Sequence, residues 1–238
     1  ITTWFSANGL SINIDKTQAL YYLPLARSRS PVQAVDLNNS ISLSLVPAAK
    51  LLGIHVDNHL NWSVHIDHVK NKLQTQKWAL RNLVKVMSVK SALLLYHSNI
   101  MSYLRYGVIL WGRSPHASSL FIEQKKILRI LFNLPFNHTC REIFKKHNLF
   151  TLPSLFIFES LKFAIFNKII SPNDMLPNHN YNSRHNFIHQ DKVHLSVSRL
   201  NIRIGATQIF NALLSLSLHL QKLFSDGETR SFLCKLET

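Results

Sequence analysis

The spacing of hydrophobic positions changes near residue 62, and the change divides the chain. Before it, short runs rich in aliphatic and aromatic residues alternate with turn formers. They cover residues 17–23, ending at Pro24, residues 32–37 and 41–46 on either side of Asn38-Asn39-Ser40, and residues 50–57 around Gly53. Such runs, bounded by Pro, Asn and Ser, predict β-strands, two to four of them, ending near Asp57. A glycine inside a run of this kind marks a bulge or a close backbone approach. Asn8-Gly9 predicts the C-terminus of a short helix ahead of the strands.

After residue 62 the period is helical. Val69, Leu73, Leu80, Leu83, Val84 and Met87 recur at spacings of three, four and seven, which predicts one apolar stripe on an amphipathic helix. Ser88 is placed to cap a second helix running to about Arg105. Ser118 or Ser119 opens a third, with Leu120, Ile127, Leu128 and Leu131 on its apolar side. Thr139 and Glu142 have capping-box spacing, and Thr151 with Pro153 opens a helix to about Ile170. Residues 171–204, with Pro172, Pro177 and clustered Asn and His, predict a loop with at most one short strand. A last helix is expected over 206–223, and Ser225 with Glu228 could cap a final turn. The fold class is therefore α+β: short strands at the N-terminal end, then a mainly α-helical remainder.

Composition narrows the partner. Lys and Arg number 27 against 12 Asp and Glu, a formal charge of +15. This excess points to a polyanion, either nucleic acid or an anionic membrane surface. Hydrophobic residues at 46% and charged residues at 16% argue against intrinsic disorder, because there is apolar surface to bury and little charge to repel. No stretch reaches the roughly 18–20 apolar residues of a membrane span, so no membrane partner is expected. Cys140 and Cys234 make neither a disulfide framework nor a C-x-x-C metal motif, which fits a reducing, intracellular compartment. The chain opens on Ile1 rather than Met, so a fragment is expected.

Catalytic patterns are sparse. Only Asp226 and Glu228 among the twelve acids lie within two residues of each other, so no two-metal carboxylate set is apparent, and each acid is expected as a cap, a solvated face or an ion pair. Phosphate-cradling glycine loops and a serine nucleophile elbow are missing. His185 and His189 have the i, i+4 spacing of metal ligands on a helix, but their segment reads as loop and lacks a third ligand. The cations are better organised. On a helical wheel with Val69 at zero, Lys77, Lys70, Arg81 and Lys85 fall at about 80°, 100°, 120° and 160°, with Trp78 at about 180°. Such a face can track phosphates while the indole stacks on a base or sugar; the alternative is a solvated face with Trp78 packed on a neighbour. A second basic group comprises Lys125, Lys126, Arg129, Arg141, Lys145 and Lys146.

In order along the chain, these residues resemble part of the reverse transcriptase of non-LTR retrotransposons, the jockey-like group in particular. Trp4, Asn8, Leu10, Asn13, Lys16 and Thr17 are similar to the segment that follows that family's catalytic loop. Leu52-Gly53-Ile54-His55-Val56-Asp57, then Leu60, Trp62, His65 and Ile66, resemble its primer-grip strand and the entry to its thumb. Leu95-Tyr96, Tyr103 to Gly107 and Trp111-Gly112 match its helices beyond the polymerase core. Gln124, Lys125, Arg129, Cys140-Arg141-Glu142, Phe144, Leu152-Pro153 and Glu159 continue the order. The likeness covers about residues 4–170, and the tail more loosely.

The resemblance implies residues 1–61 as the end of the palm with primer-grip strands, 62–112 as thumb helices, 113–170 as a helical post-thumb region, and 171–238 as a loop-rich segment with C-terminal helices. It implies a contribution to template–primer binding in an RNA-directed DNA polymerase. Leu52, Gly53 and Ile54 would lie at the primer end, and Lys70, Lys77, Trp78, Arg81 and Lys85 would face the duplex. Lys16 would serve as an auxiliary general acid toward pyrophosphate. The metal-binding aspartates would precede Ile1, so no cofactor is expected in this piece, Mg²⁺ is expected for the complete polymerase, and the chain alone would be inactive. The implied partners are RNA template, DNA primer or RNA–DNA duplex, and the upstream fingers–palm part of the same polyprotein, with the parent protein nuclear. Two other readings stay open: a non-catalytic basic helical nucleic-acid-binding module or decayed transposon remnant, and a helical protein–protein adaptor.

Overall fold

A computed structural model describes residues 2–22, 34–38, 41–169 and 202–223. The expected loop up to residue 201, the His185–His189 pair and the Ser225–Glu228 cap lie outside the described residues. The fold class is α+β, with small antiparallel sheets near the N-terminal end and helices after them. Two units are distinguished, Ile1–Pro153 and Ser154–Thr238.

The first unit opens with α1 (Thr2–Ala7), which ends in the turn at Asn8 and Gly9, and a single 3₁₀ turn, Ile14–Lys16. β1 (Ala34–Asn38) and β2 (Ile41–Ser44) pair antiparallel, and two strands were expected over these runs. Of the run expected at 17–23, the described residues 17–22 form no full strand, and among them Ala19 bridges, in parallel, to Leu45. The run at 50–57 is likewise not one strand. It is the greater part of a hairpin, β3 (Ala48–Leu51) against β4 (Ile54–Asp57), and Leu52-Gly53 is its two-residue turn. Both turn residues have positive φ, 48° and 84°. That is the type I′ turn, whose twist matches the strands it joins.

α2 (Ser63–Leu83) carries the core of this unit. Ile66, Val69, Leu73 and Leu80 are buried along one face, and α2 packs on β4 and on α6. The stripe stops earlier than its sequence period suggested. Leu83 is exposed, and Val84, whose N–H still donates to Leu80 O at 2.9 Å, is half-buried beyond the last residue of α2. Ser88 caps α3 (Val89–Leu95) as expected, its Oγ accepting from Ser91 N–H at 3.2 Å. The helix toward Arg105 is not uniform. A π-helical stretch, Tyr96–Met101, separates α3 from α4 (Ser102–Arg105). α5 (Val108–Trp111) and α6 (Ala117–Leu131) follow. α6 begins ahead of Ser118, and both expected capping serines instead donate to carbonyls of the preceding turn, Ser118 to Pro115 and Ser119 to His116. α7 (Arg141–Lys146) starts too late for a Thr139–Glu142 capping box: Cys140 occupies the cap position, and Thr139 Oγ1 accepts from Arg141 N–H at 3.5 Å.

α8 (Leu152–Phe166) takes up the helix expected after Thr151, and it ends a few residues short of Ile170. α9 (Ile202–Leu223) contains the expected 206–223 helix. In the second unit Ala164 and Ala206 are fully buried, with Ile169 and Phe210 packed against them. None of the described helices is long and apolar enough to cross a membrane.

Candidate nucleic-acid interface

The junction between the hairpin and α2 is organised by one carboxylate. Asp57, at the end of β4 and only 5% exposed, accepts from the backbone N–H groups of His59 at 3.1 Å, Asn61 at 3.0 Å and Trp62 at 2.7 Å. Those bonds curl residues 58–62 tightly enough that Leu60 and Trp62 take left-handed backbone angles. Asn61 Oδ1 then accepts from Ser63 N–H at 2.9 Å, which starts α2, and Ser114 Oγ donates to Asn61 O at 2.6 Å, which ties the loop to the approach to α6.

The hairpin tip is held from a second direction. Tyr106 Oη donates to the Leu52 carbonyl, and Trp111 Nε1, on a fully buried indole, donates to the Tyr106 carbonyl at 3.0 Å. Gly107 has φ +64°, and a Cβ there would sit 2.7 Å from Ile54 Cδ1. The terminal methyl of Ile54 can swing aside, so it is the left-handed backbone at Gly107 that favours glycine. Gly107→Ala is therefore expected to cost about 1–2 kcal/mol, chiefly from the left-handed backbone. Its urea midpoint against wild type checks this.

Leu52 itself is 83% exposed at φ 48°. A type I′ turn favours Asn, Asp or Gly at that position, and a leucine there costs roughly 1 kcal/mol.

Histidines fill the space between hairpin and helix. The ring centroids of His55 and His68 lie 4.8 Å apart, those of His55 and His65 6.4 Å, and His65 stands 5.9 Å from Trp111. His65 Nδ1 accepts from His55 N–H at 3.4 Å, so its neutral form carries the proton on Nε2. Neither Nε2, of His55 or of His65, has a hydrogen-bond partner among the described residues. Burial first, then the nearby His55 and His68, push the His65 pKa down from 6.5 to about 4. An unfolded chain takes up that proton near its ordinary pKa, so stability is fully present above pH 6.5 and falls as pH drops toward 4. The loss should approach about 3 kcal/mol at the acid end. Denaturant unfolding at pH 7 and pH 4.5 measures it, and His65→Leu should flatten the dependence. No three His, Cys, Asp or Glu side chains among the described residues are placed to hold a metal ion.

The basic face of α2 is smaller than the wheel implies. Lys77 Nζ bonds Glu123 Oε2 at 2.6 Å, and Lys126 Nζ bonds Glu123 Oε1 at 2.8 Å. Burial raises the Glu123 pKa, but the two ammonium groups outweigh it and hold the carboxyl below its ordinary value. Lys77 thus joins α2 to α6 and is not free for phosphates. Lys85 falls beyond the last residue of α2, where wheel angles no longer apply. Lys70, Arg81 and Lys85 make no ion pair among the described residues, and Arg81 and Lys85 are exposed. Lys70 lines a cavity of about 290 Å³ between the starts of α2 and α6, with Asp67 and His116. Trp78 is 68% exposed, so its ring is presented to solvent and not packed away.

Lys16 ends the 3₁₀ turn, where Asn13 Oδ1 accepts from its N–H at 3.1 Å; its ammonium bonds no described residue. In the second basic group Lys125 lies over the Phe121 ring, and Arg129 donates to the His138 carbonyl at 2.9 Å. Arg141, Lys145 and Lys146 remain exposed.

Sequence reasoning named Asp57 and Gln124 only as motif positions and expected Glu123 only as a cap, solvated or paired acid; it did not single them out as polar anchors. Gln124, fully buried, donates to Tyr96 Oη at 2.9 Å and Phe150 O at 2.8 Å and accepts from Leu152 N–H at 3.0 Å. Burial carries the Tyr96 hydroxyl up to about 12, against the pull of Gln124. The signal was available. Glu123 and Gln124 fall three and four places after Leu120, on the face that also carries Ile127 and Leu131.

Comparison with protein-family models, with curated proteins and with solved structures finds no match.

Proposed function

We propose that this chain is the end-of-palm, thumb and post-thumb part of an RNA-directed DNA polymerase of a non-LTR retrotransposon, and that it binds the template–primer duplex. One observation carries the reading. Residues that resemble the family's motifs only in their order along the chain, from Leu52 and Gly53 through Asp57, Trp62 and His65 to Tyr106, Gly107 and Trp111, form one connected cluster in space. It fixes a hairpin tip at one end of a long basic helix. A two-residue tip is a better device for touching a primer end than the flat strand expected there, since a turn can enter a groove.

Lys70, Arg81 and Lys85 supply phosphate contacts, and electrostatic positioning is the contribution of this piece. Mg²⁺ and the aspartates that hold it belong to the complete polymerase in this reading. Titration of a labelled RNA–DNA hybrid against salt tests it. Binding that weakens with a steep log–log slope is expected; no binding at 50 mM salt would remove the reading. Binding of hybrid and duplex RNA without sequence preference also distinguishes it from an adaptor that contacts only protein.

A further inference from the structure

We propose that Ser88 is a phosphorylation site for a protein kinase that reads flanking cations, and that its phosphate weakens duplex binding by neutralising the basic end of α2. The effect on affinity rests on the duplex-binding reading above; the modification itself does not.

Ser88 lies in the corner between α2 and α3, and the residues around it face solvent. Lys85, Val86, Ser88, Val89 and Lys90 are all exposed. The Ser88 backbone is extended, with φ −69° and ψ 153°. A kinase cleft takes its substrate in that form, which a serine inside a helical turn does not present. The flanks read Lys85-Val86-Met87-Ser88-Val89-Lys90. Cations three places before and two places after the hydroxyl, with an apolar residue directly after it, fit a cleft whose acidic pockets lie on both sides of an apolar seat. Among the described serines and threonines outside helices and strands, Ser88 alone has a Lys or Arg three places before it. No Asp or Glu occurs from residue 68 to residue 122, so nothing nearby in sequence repels such a cleft.

The fold leaves the hydroxyl proton free to go. Ser88 Oγ accepts from Ser91 N–H at 3.2 Å, a bond that does not use that proton. Ser91 Oγ stands 3.0 Å away and can supply the proton of that second contact. In the transfer, a bond forms from Ser88 Oγ to the γ-phosphorus of ATP while the bond from that phosphorus to its bridging oxygen breaks. ADP leaves, and the hydroxyl proton passes to the kinase's catalytic aspartate. The phosphate brings a charge of about −1.5 to −2. From 78 to 104 the Lys, Arg, Asp and Glu residues are Arg81, Lys85 and Lys90, all cations without an ion pair among the described residues. Cations paired with the new phosphate no longer displace counterions from a duplex.

The test treats the full 238-residue chain with ATP, Mg²⁺ and a protein kinase C catalytic domain, a kinase of this specificity. Mass spectrometry then maps the phosphate, and anisotropy measures RNA–DNA hybrid binding. One phosphate on Ser88 is expected, with hybrid affinity about ten-fold lower at about 0.1 M salt and a log–log salt slope shallower by about 1–2. Phosphatase should restore both. Ser88→Asn keeps a capping side chain and lacks the hydroxyl, so it should bind hybrid like wild type and show no change on kinase treatment.

Phosphate on Ser91 or elsewhere and none on Ser88 overturns the proposal. So does full Ser88 phosphorylation with unchanged affinity and slope, which leaves the duplex reading standing. A phosphorylated chain that has lost its circular dichroism also overturns it, because the loss of binding is then a loss of fold. An unmodified chain that binds no hybrid removes the duplex reading, and this regulation with it.

Discussion

Asp57→Ala is expected to lower the stability of the first unit by about 3 kcal/mol, because three backbone donors lose a charged acceptor at once. For a chain of this size that is a fall in melting temperature of roughly 6–12 °C. Asp57 is nearly buried, so water does not simply replace the carboxylate while the loop keeps its shape. Two residues of that loop, Leu60 and Trp62, hold left-handed angles, and the carboxylate shares their support with the Leu60 N–H bond to Asp57 O and the Ser114 bond to Asn61 O. Asp57→Asn retains one acceptor oxygen and should lose about half as much. Urea midpoints of the three proteins measure the series. An alanine variant within about 0.5 kcal/mol of wild type would mean that the loop is held by its other hydrogen bonds and the packing of Trp62.

The consequence reaches the hairpin. β4 runs directly into the Asp57 loop, and His55 on β4 faces His65 and His68 on α2. A loosened loop frees the strand from the helix, so Asp57→Ala should also weaken recognition of a duplex end.

Much of this arrangement was legible in the sequence, and the misreadings have physical causes. Helix periods survive because one face of α2 and of α6 is buried, which forces apolar residues to recur every three or four places. The Ser88 cap was legible because it is local. The hairpin was not, because its turn uses Leu52-Gly53 instead of Asn-Gly, and a leucine there reads as strand. Gly53 did carry a signal, read as a bulge or a close approach, and the backbone uses it in a turn against the Tyr106 ring. Contacts between distant positions left no trace of their own: Tyr106 with Leu52 spans 54 residues, and Lys77 with Glu123 spans 46. A wheel of one helix cannot show that a lysine at the edge of its apolar stripe meets a buried acid on another.

That last point reshapes the binding face and sets the measurement. Lys77→Gln should reduce stability, by leaving Glu123 with a single cation, and should hardly alter duplex affinity. Replacing Lys70, Arg81 and Lys85 together by glutamine should do the opposite, since glutamine keeps helix propensity and these ammonium and guanidinium groups hold no ion pair among the described residues. Each phosphate contact contributes about 0.9 to the log–log salt slope on a duplex, so three lost contacts make it shallower by about 2.7. The decisive experiment is therefore the salt dependence of RNA–DNA hybrid binding for wild type, Lys77→Gln and the triple variant, with circular dichroism on each. A steep wild-type slope, matched by Lys77→Gln and reduced by between two and three in a folded triple variant, is the predicted result (about 0.9 per contact). A folded triple variant that binds the hybrid as tightly as wild type with an unchanged slope would contradict the thumb assignment and move the interface to Arg141, Lys145 and Lys146.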